Sequence, residues 1–181
     1  MRNTFSIQIR QPVETVFDLV TNPNRVHEWS EYARRIEILS RGPWGGYNQA
    51  RWLLVRGNLE VETIETVLEY EAPFLFASKT HILRATRHIN TQAQDSLPPI
   101  DEILFPAEHT VEKRFNNQQM TLLLQLNFIP EGKSTTTLRM TRSSHFGFFV
   151  STVMWFRGMF IKHPDIKTLE AIKKAAESNS G

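Results

Sequence analysis

The sequence predicts an α+β fold in which a curved antiparallel sheet of about six or seven strands wraps a long C-terminal helix. Three observations carry this. The run Phe148 to Glu177 repeats apolar residues at helical spacing, with Phe149, Val153, Phe156 and Phe160 before Pro164 and Ile166, Leu169, Ile172 and Ala176 after it. Upstream of it, two-residue alternation recurs in six or seven segments separated by turn signals. Between the first strand and the rest lie two short helical patterns, so the element order is strand, two helices, strands, long helix. A helix with so wide an apolar face cannot stand alone in water, and the strands are what can cover it.

The first strand is Phe5, Ile7 and Ile9, alternating with Ser6, Gln8 and Arg10. Pro12 suits the first turn of a helix whose apolar stripe is Val13, Val16, Phe17 and Val20, with Glu14 near its positive end. Asn22-Pro23-Asn24 marks a turn, and a short second helix runs through Val26 and Trp29. Ile36 and Ile38 belong to the next strand. The segment Arg41 to Tyr47 holds three glycines and a proline, which forces a loop or hairpin. Strands follow near Gln49 to Arg56 and Leu59 to Glu71, joined at Gly57-Asn58. In the second of these, Leu59 and Val61 face inward, and the alternation then slips to Ile64, Thr66, Leu68 and Tyr70. A bulge near Thr63 accounts for the slip. Glu60, Glu62, Glu65, Glu69 and Glu71 then form an acidic ribbon on a solvated outer face, with docking to a basic partner as the alternative. After the Ala72-Pro73 turn, Phe74, Phe76, Ser78, Thr80 and Ile82 share one strand face. The pattern fades from Thr91 to Pro106. Leu122, Leu124, Leu126 and Phe128 resume it, and Thr136, Leu138 and Met140 return after Glu131-Gly132-Lys133.

Bulk properties narrow the function. The 181 residues fit one domain spanning 1–181, with no internal repeat. A formal charge of +2, with Lys and Arg dispersed, gives no case for nucleic acid. The absence of cysteine removes disulfides, thiolate metal sites and cysteine nucleophiles, and fits a reducing compartment. The N-terminus lacks the apolar stretch of a secretory signal. The most apolar window, Phe146 to Phe156, is roughly half of what a bilayer span needs. A cytoplasmic protein without stable membrane insertion is the expectation.

The order of elements resembles the START-like superfamily, also called Bet v 1-like or SRPBCC, the polyketide cyclase/dehydrase and lipid-transport group with its helix-grip fold. The residues that carry the resemblance are Gln11-Pro12-Val13-Glu14-Thr15-Val16-Phe17-Asp18-Leu19-Val20, Asn22-Pro23-Asn24-Arg25, Glu28-Trp29-Ser30, the Glu71-Ala72-Pro73 turn and the closing Leu169 to Glu177. Two departures stand out: a longer excursion between Arg84 and Thr110, and Pro164 inside a helix that is continuous in the group. The resemblance implies a pocket for an apolar molecule between sheet and helix, with no cofactor, in a monomer or homodimer.

The residues facing such a pocket are Phe76, Leu124, Met140, Phe149, Val153, Phe156 and Phe160. Aromatic residues on both walls favour a lined cavity, although the same rings could fill the core. Trp29 and the Trp44 loop are candidates for its entrance, either as a flap or as anchors tucked onto the body. Arg142 continues the inward parity of Met140. It would orient a ligand head group or pair with a protein carboxylate. The histidines do not make a metal site: His81 and His88 fall an odd number of residues apart, and no HExxH or related motif occurs. Nucleophile elbows, P-loops and dinucleotide fingerprints are absent. Glu108-His109, His145 and Arg142 are what remains for acid/base chemistry. Two functions follow: binding of a hydrophobic or amphipathic small molecule (lipid, polyketide or isoprenoid-like), or a cyclase/dehydratase-like reaction in the same cavity. A third alternative is an interaction module with a filled core.

Overall fold

A computed structural model describes residues 2–87, 112–114, 121–145 and 164–178. The N-terminal part of the expected long helix, including Phe149, Val153, Phe156 and Phe160, lies outside the described residues, as do His88, Glu108, His109 and the excursion around Leu97 to Ile100.

The chain opens with strand β1 (Arg2–Ile9), helix α1 (Val13–Thr21) and the expected short second helix, which is of 3-10 type (Pro23–Glu28). Strands β2 (Ala33–Arg41), β3 (Tyr47–Arg56), β4 (Leu59–Glu71) and β5 (Leu75–Arg87) follow, then β6 (Glu112–Arg114), β7 (Thr121–Pro130), β8 (Thr136–His145) and helix α2 (Pro164–Ser178). The sheet is antiparallel and open, in the order β1-β8-β7-β5-β4-β3-β2, and three-residue β6 pairs β5 off this path. Among the described strands, chain neighbours are sheet neighbours except at two places: β7 pairs with β5 rather than with β6, and β1 crosses to pair with the last strand, β8. That crossing lays α1 and α2 over the same end of the sheet, and α2 packs on β1 and α1.

The core forms where these helices meet the concave face. Ile9, Val16, Leu19, Phe128, Leu138, Leu169 and Ile172 are almost wholly buried there. Each such side chain contributes about 1.5–3 kcal/mol by leaving water. Phe17 of α1 meets Phe128 and Tyr70 edge-on, at centroid distances of 5.0 and 5.2 Å. The helical spacing of Leu169, Ile172 and Ala176 is what buries α2, as its periodicity predicts.

Bulges curve the sheet, and their positions correct the sequence reading of β4. Glu62 pairs with Arg84 and Thr63 with Ile82, so the extra residue near Thr63 is Leu83, on β5. The bulge of β4 itself is at Leu68, between the pairs Val67–Ser78 and Glu69–Ala77. The inward alternation set by Leu59 and Val61 thus runs unbroken through Thr63, Glu65 and Val67 before it slips. Leu68, expected inside, is 55% exposed. Glu65, expected on the outer ribbon, is buried. On the outer face, Glu60 and Glu62 meet Arg84, and Glu62 also meets Arg51, so part of the ribbon is neutralised across the strands.

The loop between β2 and β3 is fixed by its tryptophan. Trp44 stacks on Tyr70 with ring centroids 5.1 Å apart and planes 9° from parallel. A Cβ at Gly42 would run into the six-membered ring of Trp44. Gly42→Ala is therefore expected to cost about 1 kcal/mol, the low end for overpacking because the loop is partly exposed. A thermal melt measures this, and the tryptophan fluorescence of the folded variant should change as the stack opens.

Candidate ligand site on the concave face

Strand alternation turns Phe76 and Ser78 of β5, Leu124 and Leu126 of β7, and Met140 and Arg142 of β8 to one side of the sheet. Register sets them in rows: Phe76 opposite Leu126 opposite Met140, and Ser78 opposite Leu124 opposite Arg142. Phe76, Leu126 and Met140 are buried in the core cluster, and Leu124 packs against it half-buried. One row is apolar, and the next is polar at both ends.

The polar row extends onto β4 and β3. Glu65 accepts a hydrogen bond on each carboxyl oxygen, from Ser78 Oγ at 2.6 Å and from the Tyr47 hydroxyl at 2.9 Å. Ser78 is completely buried and Tyr47 nearly so. Removal from water pushes the Glu65 carboxyl above the ordinary carboxylate range. The hydrogen bonds from Ser78 and Tyr47, the indole of Trp52 and the charge of Arg142 pull the other way without cancelling it. Trp52 Nε1 is itself buried, and although it lies close enough to Glu65 to favour its charged form, it makes no hydrogen bond of ordinary geometry. Burial and the Glu65 charge hold the Tyr47 phenol well above its usual value, so it remains a donor.

Arg142 reaches the N-terminal turn of α2, where its Nη1 pairs with Asp165. Asp165 is completely buried, while a third of the Arg142 side chain is exposed. Asp165 is the protein carboxylate foreseen as one partner for this arginine. The pair ties β8 to α2 beside the Glu65 cluster.

The sequence-predicted residues thus divide. Phe76, Leu124, Met140 and Arg142 are brought to one face. Trp29 donates its indole N–H to the Leu19 carbonyl at 3.1 Å and packs on the core, and Trp44 lies on Tyr70. Both are anchors of their segments. His145 closes β8 opposite Thr121, with its side chain outside the described residues. Sequence reasoning missed Glu65, Tyr47, Ser78, Trp52 and Asp165. For Glu65 a signal existed: Leu59, Val61, Thr63, Glu65 and Val67 alternate without a break.

A curved antiparallel sheet gripping a C-terminal helix, with a short helix after the first strand, is the helix-grip fold of START-like and Bet v 1-like proteins. Solved structures agree along nearly the whole chain. A conserved protein from Geobacillus kaustophilus superposes with a TM-score of 0.65 at 12% identity, covering 99% of this chain and 97% of its own. The Zhui aromatase/cyclase from Streptomyces sp. R1128 also gives 0.65, at 9% identity, covering 100% and 96%. A START superfamily protein from Mycobacterium smegmatis gives 0.56 at 14% identity, covering 98% and 95%. No curated protein matches the sequence. Residues 2–94 match the family described as polyketide cyclase / dehydrase and lipid transport, and the chain belongs to that family.

Proposed function

We propose that the chain, as one START-like domain over residues 1–181, holds a hydrophobic or amphipathic small molecule between the sheet and the C-terminal helix. The observation that carries this is the pairing of two surfaces on one concave face. An apolar row of Phe76, Leu126 and Met140 adjoins a buried polar cluster of Glu65, Tyr47, Ser78 and Arg142. A structural core gains nothing from burying a carboxyl that could sit outside, since desolvation opposes it. An amphipathic ligand supplies both halves of a complement. Area burial alone, at roughly 25 cal/mol per Å², suffices for binding with no covalent chemistry and no cofactor. Among the described residues no helix is long and apolar enough to cross a membrane.

Native mass spectrometry of the purified protein tests this reading. A retained apolar molecule, displaced by an excess of a second one, is the expected result; a bare polypeptide mass that no medium-chain lipid or ketone shifts would contradict it.

One observation favours a second reading, a cyclase/dehydratase-like enzyme in the same cavity. A carboxyl raised by burial is the form of general acid that works near neutral pH. Similar structures include the aromatase/cyclase and a norcoclaurine synthase from Thalictrum flavum. In this reading Glu65 moves the proton, and Arg142 and His145 are the other candidates. Turnover abolished in Glu65→Gln with ligand binding retained would establish it.

A further inference from the structure

We propose that the outer face of the sheet, opposite the concave site, carries an anion-binding groove that takes the phosphate of a small phosphomonoester. The groove crosses β1, β8 and β7 and has a volume of about 430 Å³. Among the described residues it is lined by Arg2, Thr4, Arg139, Thr141, Gln125 and Asn127, with Ile129 as the one apolar side chain. Register explains why the two arginines converge. Thr4 pairs with Thr141 and Thr141 with Gln125, while Ser6 pairs with Arg139 and Arg139 with Asn127. Arg2 lies two residues before Thr4 on β1, and Arg139 two before Thr141 on antiparallel β8. The guanidiniums therefore flank the Thr4–Thr141 pair from opposite sides, each side chain starting about 7 Å from it along its strand. Arginine stems are long enough to cover that distance.

Every polar side chain in the groove can donate. The Thr4 and Thr141 hydroxyls bond to each other at 3.1 Å, so one of their two protons is spent and the other is left over. The Gln125 and Asn127 carboxamides have no side-chain partner among the described residues. Each guanidinium adds donors in a fixed fork that matches phosphate oxygens. Among the described residues no carboxylate lines the groove. Two acids of the same face stand off it: Glu131 is held by Gln8 and Thr137, and Glu69 on β4 lies across Ala77 from Gln125. The other half of the face uses arginine differently. There Arg51 meets Glu37 and Glu62, and Arg84 meets Glu60 and Glu62. Arg2 and Arg139 are exposed and meet no carboxylate among the described residues. Guarding a sheet edge explains Arg2 on β1 but not Arg139, because β8 lies between β1 and β7. Two positive charges call for a dianion, and a phosphomonoester carries about −1.5 to −2 at pH 7. The groove is of a size for a phosphate with a small organic group.

The test titrates the full chain with glycerol 3-phosphate, glycerate and glycerol, one scaffold as dianion, monoanion and neutral molecule. Nitrogen-edited NMR reads the groove through the side-chain N–H signals of Gln125 and Asn127. Glycerol 3-phosphate is expected to give saturable shifts with a Kd of about 1 mM or tighter. Glycerate should bind roughly tenfold more weakly, and glycerol should give no saturable response. Arg139→Ala and Arg2→Ala should each weaken the phosphate about tenfold, the loss of one charge-assisted contact. Arg84→Ala removes the same charge from the paired half of the face and should leave the affinity within about twofold. Equal losses in Arg84→Ala and Arg139→Ala would reduce the effect to general attraction by a basic protein and overturn the inference. Glycerate binding as tightly as the phosphate overturns it too, as does the lack of a saturable shift by about 10 mM glycerol 3-phosphate. None of these results bears on the concave face, so that reading stands or falls separately.

Discussion

Arg142→Ala is expected to destabilise the protein by about 3 kcal/mol, because it removes a cation that pairs with the completely buried Asp165. Breaking a buried pair costs about 3–5 kcal/mol in general, and the lower end applies because a third of the arginine side chain is solvent-exposed. The effect should shrink when the Asp165 charge is also removed. Arg142→Ala with Asp165→Asn is expected to be more stable than Arg142→Ala alone, although the carboxylate at the start of α2 also favours that helix end. Urea denaturation of the four species gives the coupling directly. A single variant within about 0.5 kcal/mol of the parent would mean that the pair is not what joins β8 to α2.

The second large effect is on pH dependence. Glu65 holds its proton more tightly folded than unfolded, because burial raises its carboxyl. Below the ordinary carboxylate range both states are protonated and the group adds no slope. As pH rises from that range towards the raised value, the unfolded chain ionises first, and the folded state becomes progressively less stable relative to it. Above the raised value the loss is complete and constant. Every unit by which the folded value is lifted corresponds to about 1.4 kcal/mol. Glu65→Gln cannot ionise, so its melting temperature should gain on the parent's across this window and stay ahead above it. Two parallel melting curves against pH would show that the carboxyl is not held protonated by the fold.

These two residues also mark what was legible from the chain. Arg142 could be placed inside because Thr136, Leu138 and Met140 precede it on an unbroken alternation, and β8 has no bulge in its pairing with β7. Its partner could not be foreseen, since Asp165 lies on another element. Only the packing of α2 on β1 and α1 brings it near. Glu65 was misplaced for a local reason. Ile64 and Leu68 are apolar yet point outward, and two glutamates precede them on that side, so the change of parity looked earlier than it is. The physical slip needs an extra residue in the ladder, and the extra residues are Leu68 on β4 and Leu83 on β5. No composition rule marks a leucine as a bulge. The helices were easier: Val13, Val16 and Phe17 are all buried at the spacing that predicts them.

Trp29 and Trp44 show a different limit. Sequence can place an indole near an opening but cannot tell a free ring from an anchored one. Here a backbone carbonyl at Leu19 and the Tyr70 ring decide it. The hydrogen bond satisfies the indole N–H that a mobile flap would have left to water.

The central claim is that a hydrophobic or amphipathic molecule sits against the concave face, over Met140 and Leu124. Methyl-labelled NMR during an undecanone titration tests it most directly. Saturable shifts concentrated at Met140, Leu124 and Leu126, with Leu39 and Leu68 on the outer surface unmoved, are the predicted result. Shifts confined to outer methyls, or none at saturating ketone, would contradict it.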